Sequence, residues 1–327
     1  MVKMASSIRF ESCSIKLRSR REFEAWVQES AEVLNRRRQV EVRLEEGLPA
    51  GGIGAYLGYC WVCGKNSRFM YDRMYSRASR VNLWESLLSR LPLVLRQALA
   101  VEVREEAPSQ ADRVNWRESL VCVECGLTNR LRLSVQVLEE LVPDFPSPRV
   151  YLTEQVTPVA AALRKRIGNL ACSEFLGPDI AGGSIDSRGF RHEDLTQLSF
   201  PDAAFDVVLS FDVLEHVPNY RAALGEMRRV LRSGGSCVIT APFDCSSDPN
   251  VVRAVLQDDG EIRHLLPAEY HGDPVSPERG ALCYYRFGWE LLEDMKSAGF
   301  SDAVIHLSWS SDYGNIGAEQ PMIVGMA

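Results

Sequence analysis

Four of the nine cysteines fall in two matched turns, Cys60-Trp61-Val62-Cys63-Gly64 and Cys122-Val123-Glu124-Cys125-Gly126. A CxxC turn aims two sulfurs at one point, and four thiolates satisfy a tetrahedral zinc ion. The glycine after each pair lets the chain reverse, so that backbone N–H groups can donate to the sulfurs. No histidine precedes His192, so a metal in the N-terminal half must be held by cysteine, with carboxylate as the weaker option. Four cysteines leave no open coordination position. The expectation is therefore a structural Zn2+ on Cys60, Cys63, Cys122 and Cys125, with the 58 residues between the pairs carried as an insertion. The competing reading is ordinary buried or redox cysteines. It fits less well, because a thioredoxin-like motif is single and sits in a βα context. Cys13, Cys172, Cys237, Cys245 and Cys283 are scattered and read as small core or surface residues.

A second concentration of reactive side chains is IRHLLPAEYHGDPV, residues 262–275, with His264, Glu269, Tyr270, His271 and Asp273. Its irregular spacing fits substrate contacts better than a further metal site. His192 and His306 lie beside or within strand-like runs and read as structural.

These residues must be positioned by the elements around them. Residues 20–38 have a helical pattern, followed by an alternating run at 39–45 that predicts an edge strand. The glycine-rich GLPAGGIGAYLG at 47–58 reads as a flexible lead-in to Cys60, not a phosphate loop, since GxGxxG is absent and no helix follows. Helices are predicted over 83–99 and 129–142. Three prolines in residues 143–149 mark a domain boundary. Beyond it, strand and helix patterns alternate. RVYLTE, ACSEFL, FRHEDL, FDVVLSFD and SCVITAPF read as strands. TPVAAALRKRI and YRAALGEMRRVLR read as helices, the second ending at Ser233-Gly234-Gly235. A last helix, GWELLEDMKSAG, precedes DAVIHLSWS and MIVGMA. Such alternation implies a doubly wound, Rossmann-like α/β sheet. The division predicted is a mostly helical zinc module at 1–145 and an α/β domain at 146–327.

Residues 192–243 carry an ordered set of features: an acidic residue after the third strand (Asp194), LSFPDAAFDVV, DVLEHV and RVLRSGG. This segment resembles class I S-adenosylmethionine-dependent methyltransferases. The resemblance implies S-adenosylmethionine as cofactor, with Asp194 on the adenine amino group and Leu195 in the adenine slot. Ser210 and Phe211 would border the methionine part. In that family the acidic residue for the ribose lies about twenty residues before the adenine aspartate, which lands on Glu174. The first-strand turn lies about twenty residues earlier again, at Glu154 and Thr157 in YLTEQVTP, a turn without the usual glycines. A rival alignment makes SEFLGPDIAGG the glycine loop, but leaves only about a dozen residues before the third strand. The same resemblance makes His216, in LEHVPNY, the histidine nearest the methyl group. It also places the 262–275 segment where such enzymes build substrate lids, so His216 and His271 are the candidates for a general base or hydrogen-bond donor.

Composition bounds the function. A chain of 327 residues, 46% hydrophobic and 25% charged, is that of a globular protein able to bury a sizeable core. The net charge is −7 and the deficit sits in residues 146–327, with 15 basic against 25 acidic residues. That argues against a nucleic-acid binder. No apolar run is long enough for a membrane span, the N-terminus has no signal-like segment, and the cysteines lack a secreted pattern, so a cytoplasmic location is expected. The leading expectation is a methyltransferase acting on an O or N nucleophile of a small molecule or glycan, in bacterial specialised-metabolite or polysaccharide biosynthesis. The alternatives are a protein methyltransferase that docks its partner through the zinc module, and a non-catalytic or repurposed cofactor-binding protein. Nothing in the sequence sets the oligomeric state.

Overall fold

The computed structural model describes residues 13–48, 52–72, 114–142 and 148–327; the helix predicted at 83–99 lies outside them. In chain order the elements are β1 (Cys13–Leu17), α1 (Arg20–Glu29), α2 (Ala31–Glu46), β2 (Ile53–Cys60), β3 (Lys65–Asp72), α3 (Trp116–Ser119), β4 (Val121–Cys122) and α4 (Asn129–Leu141). There follow β5 (Arg149–Leu152), α5 (Pro158–Arg164), β6 (Asn169–Cys172), β7 (Phe205–Phe211), a 3-10 turn at Leu214–His216, α6 (Tyr220–Val230) and β8 (Leu231–Thr240). Six short strands come next: β9 (Val251–Val252), β10 (Ala254–Leu256), β11 (Ile262–His264), β12 (Tyr270–His271), β13 (Ala281–Leu282) and β14 (Tyr285–Arg286). The chain ends with α7 (Glu290–Ser297), β15 (Asp302–Trp309) and β16 (Met322–Met326).

The central sheet has seven strands in the order β1-β15-β16-β8-β7-β5-β6. Strands β6, β5, β7 and β8 are parallel, while β16, β15 and β1 add antiparallel pairings. Period-two side-chain alternation sorts the strand residues onto two faces. Val150, Leu152, Val207, Leu209 and Val238 pack with α4 and α5 on one face. Tyr151, Val208, Cys237 and Ile239 pack with α6, α7 and Trp26 of α1 on the other. Burial on both faces explains the unbroken apolar run of β7. Local signals set the helix starts: Thr157 caps α5 with Pro158 behind it, and Thr128 caps α4.

Several expectations are corrected. The predicted strand at 39–45 is helical, because α2 runs on to Glu46 and turns Arg37 and Glu41 inward, one helical turn apart. Residues 53–58 of the glycine-rich lead-in instead belong to the ordered strand β2, which pairs with β3 over its full length. FRHEDL forms only isolated bridges, including Glu174 with His192. Helix α6 ends at Val230 and passes directly into β8, so Gly234 and Gly235 lie within a strand and not in a helix cap. The division at 145/146 does not separate two bodies. Strand β1 is the edge of the central sheet, and α4 is one of its covering helices. Helical residues outnumber strand residues in the described part of 1–145, but the cysteine turns themselves sit on the three-stranded β2-β3-β4 sheet.

The loop between β15 and β16 threads back across that small sheet. At Gly314, with φ +64°, an added Cβ would lie 2.6 Å from the Phe69 ring. Gly314→Ala combines a left-handed backbone with a clash and should destabilise the fold by about 1–3 kcal/mol in chemical denaturation. An unchanged midpoint would contradict this close approach.

Candidate active site and cysteine cluster

The strand order reverses at β5, with β6 on one side and β7 on the other. Open parallel sheets leave a crevice outside the carboxyl ends of the strands at such a point. Here those ends carry Thr153 and Glu154, Ser173 and Glu174, and Asp212.

The turn after β5 contains no glycine and needs none. No residue from 153 to 157 has a positive φ, so its backbone stays where any L-residue is at ease. Its amides are taken by a side chain: Glu174 Oε1 accepts from Gln155 N at 2.6 Å and from Val156 N at 3.0 Å. Thr157 Oγ1 accepts from Ala160 N and is also hydrogen-bonded to Glu154. Glu154, Thr157 and Glu174 thus converge on one turn. Thr153 Oγ1 and Glu154 Oε1 are buried there without a hydrogen-bond partner. Burial pushes the Glu154 carboxyl up, to about 8, against the pull of Arg130 and Thr157. The rival loop at 173–183 lies after β6, one strand away from this turn.

Asp194 follows the irregular segment beside β6, and Thr196 bonds its Oδ1 through both N and Oγ1, which orients the carboxylate. Leu195, Ser210 and Phe211 are buried in the core, and Ser210 Oγ has no partner.

Asp212 was not singled out from the sequence. It ends β7 with φ +53°, an uncommon conformation for a non-glycine residue. Thr240 Oγ1 donates to its Oδ1 at 2.8 Å, Arg117 Nη2 lies 3.1 Å from Oδ1, and Arg130 Nη2 lies 3.3 Å from Oδ2. Burial alone would raise this carboxyl, but Arg130 and Arg117 hold it down, at about 2. Both arginines come from the N-terminal half, Arg117 from α3 and Arg130 from the first turn of α4.

His216 and His271, far apart in sequence, meet edge to face with ring centroids 5.0 Å apart. Glu215 lies between them, its Oε1 3.6 Å from His216 Nε2 and 3.4 Å from His271 Nδ1. Cys283, read from the sequence as an incidental cysteine, completes the group: one ligand atom each from His216, His271 and Cys283 lie within 4.8 Å of one another. Burial pushes the Cys283 thiol up, but its hydrogen bonds with the two histidines bring it below the ordinary value. His264 is exposed and stands outside the group.

The two CxxC turns do converge. Cys60 Sγ and Cys125 Sγ are 3.8 Å apart, as are Cys63 Sγ and Cys122 Sγ. A tetrahedron with metal–sulfur bonds of about 2.3 Å has edges of about 3.8 Å, so the cluster has the dimensions of a metal site. Gly64 and Gly126 have φ of +64° and +72° and return their amides to Cys60 O and Cys122 O. Beside the cluster, Arg132 is 1% exposed. It donates to the carbonyls of Leu120, Leu127 and Gly314 and lies 4.1 Å over the Phe69 ring. A guanidinium this deep calls for nearby negative charge, and the four cysteine sulfurs are the groups beside it that could carry such charge.

Residues 159–239, from α5 into β8, match the family described as methyltransferase domain. The core is of the class I methyltransferase type. Among characterised proteins, 59 residues are 42% identical to a probable S-adenosylmethionine-dependent methyltransferase of Mycolicibacterium smegmatis, covering 18% of this chain and 23% of that protein. Over 127 residues the chain is 31% identical to the sterol 24-C-methyltransferase of Eremothecium gossypii, covering 37% of this chain and 32% of that one. The matches thus span about a quarter to a third of these relatives' length. An S-adenosylmethionine-dependent methyltransferase from Mesorhizobium loti superposes with a TM-score of 0.36 at 13% identity, over 59% of this chain and 96% of that one. Among the described residues, Glu154 Oε1 and Thr153 Oγ1 at the strand ends are buried acceptors without a partner, available to a ligand's donors.

Glu154 makes unliganded stability depend on pH. Its folded value of about 8 lies above the ordinary 4.5. The fold therefore has its full stability below about pH 4.5 and loses the part due to this group as pH rises toward 8. Glu154→Gln stays neutral, so its advantage over wild type should be larger at pH 8.5 than at pH 5, by up to about 4 kcal/mol. Parallel pH profiles of unfolding for the two proteins would show that this carboxyl is not desolvated.

Proposed function

We propose that the protein transfers a methyl group from S-adenosylmethionine to an O or N nucleophile of a small molecule or glycan, as in specialised-metabolite or polysaccharide biosynthesis. The observation that carries this reading is the crevice at the strand reversal, where acidic side chains surround an intact, glycine-free turn. Glu174, held at the end of β6 by the turn amides, receives the ribose diol. Glu154, paired with Thr157, receives the methionine ammonium. Asp194 accepts from the adenine amino group and Leu195 walls its ring, while Ser210 and Phe211 back the methionine part at the end of β7. The cofactor supplies an electrophilic sulfonium methyl, and the protein aligns the acceptor with it. His216 and His271, grouped beside Glu215, contact the acceptor.

The cysteine cluster is, in this reading, a structural zinc site. Its place favours that role over partner capture: Arg166, just after α5, donates to Val62 O, and Arg132 of α4 lies against the thiolates. Cys60→Ser should lose the zinc and lower the melting temperature. Zinc content and melting temperature both equal to those of wild type would remove the assignment.

Calorimetric titration with S-adenosylmethionine should show saturable binding. Asp194→Ala should weaken it about tenfold, the loss of one hydrogen bond to a charged group of about 1.4 kcal/mol. Failure of the zinc-loaded wild-type protein to bind would defeat the methyltransferase reading. Unchanged affinity in the variant would defeat the assignment of Asp194.

A further inference from the structure

We propose that His216, His271 and Cys283 form a second metal site, distinct from the four-cysteine cluster, that takes a divalent transition-metal ion with Glu215 as its carboxylate partner. Three segments build it: the 3-10 turn after β7, strand β12, and the residue after β13. Their backbones are tied together. Tyr284 N donates to Glu215 O at 2.8 Å and Cys283 N to Glu269 O at 2.9 Å, while β12 and β13 pair at Tyr270–Leu282 and His271–Ala281. The ligand atoms are therefore held in place by structure already formed.

Each histidine has the second contact that metal-binding histidines show. His216 Nδ1 lies 2.8 Å from Leu282 O. A carbonyl can only accept, so Nδ1 carries the proton and Nε2 presents its lone pair, on the side of Glu215. His271 directs Nδ1 to Glu215, and its Nε2 lies 3.5 Å from Glu269 Oε1. Glu269 is itself held by Arg253 at 3.0 Å. Cys283 is 1% exposed and lies against both imidazoles. Glu215 is fully buried; among the described residues neither carboxylate oxygen has a hydrogen-bond partner, and Oε1 meets only the two imidazoles, at 3.6 and 3.4 Å. Burying a carboxylate is costly unless positive charge offsets it, and an ion between it and the imidazoles would supply that charge.

The donor set names the class of ion. One thiolate with two imidazoles suits zinc and its neighbours, whereas magnesium and calcium prefer oxygen. Three protein ligands with a weaker fourth resemble a catalytic site more than a closed structural one. If the methyl-transfer reading holds, the ion would bind an acceptor hydroxyl and lower its pKa, favouring its attack on the methyl. That role rests on the function proposed above; the metal site does not.

Metal stoichiometry tests the site without cofactor or substrate. Apoprotein titrated with Zn2+, or with Co2+ as a spectroscopic probe, should bind two ions in the wild type. Cys283→Ser and His271→Gln should each bind one, with the Co2+ spectrum of the remaining ion that of a four-thiolate site. His271 is partly exposed, so its variant guards against loss by misfolding. Glu269→Gln should keep two ions and weaken the second about 10- to 100-fold, as loss of an outer-shell partner does. A wild type that binds only one ion, or two ions retained in both Cys283→Ser and His271→Gln, would overturn the proposal. Either result would leave the S-adenosylmethionine titration untouched.

Discussion

Carboxylates crowd one end of the sheet. Glu154, Glu174 and Asp212 follow three adjacent parallel strands, and Glu215 lies one turn further on. All but Asp212 sit in deep or partial burial with few donors, and like charges so placed repel strongly where water is scarce. The fold resolves this by importing cations. Arg117 and Arg130 reach Asp212 from α3 and α4, and the field of Arg130 extends to Glu154. An isolated methyltransferase sheet would lack both. The N-terminal half is thus part of the crevice, and its charge is as much a component of the site as the carboxylates are.

That dependence gives the cysteine cluster a physical role. Helix α4 starts just after the second CxxC turn, with Asn129 buried and bonded to the carbonyls of Trp116 and Ile316. Two residues, about half a turn of helix, separate the arginine that faces the crevice from the arginine that faces the cysteine cluster. Arg130 sits in α4's first turn and Arg132 two residues on, so they point to different sides of one short element. Arg132 is buried against carbonyls, the Phe69 ring and the cysteine sulfurs, while Arg130 on the same helix reaches Asp212. The cluster and the crevice thus share one supporting element.

How much of this was legible follows from the range of each signal. The β7–α6–β8 unit and the two CxxC turns were readable because each is a local pattern: an apolar run, a helical period, a pair of sulfurs two residues apart. The position of the first βα turn was readable by spacing, since chain length between successive strands is bounded by the helix that must fit there. Asp212 and Glu215 lay within the quoted DVLEHV, but their importance comes from arginines about ninety residues upstream and from histidines on another strand. Cys283 carried no local signal at all. Its partners come from residues 215–216 and 269–271, and only the β12–β13 pairing brings them together. The helical continuation of α2 was missed because QVEVRLE alternates like a strand. Its burial at Arg37 and Glu41 is set by tertiary contacts with no trace in the pattern: Arg37 lies over the Trp309 ring, and Gly317 N donates to Glu41 Oε1.

The glycine-free turn shows what such substitution does to a binding site. Glycines serve a phosphate-type loop by allowing left-handed backbone and close approach of amides to a ligand. This turn uses neither. Its residues keep negative φ, and two of its amides are already bonded to Glu174 Oε1. The turn therefore presents side-chain carboxylates in place of bare N–H groups, which suits the donors of the ligand proposed above, its ammonium and ribose diol. The price of the exchange is that a buried carboxyl must ionise to bind well. Glu154 carries that requirement, so the electrostatic supply from Arg130 governs how readily the crevice accepts its ligand.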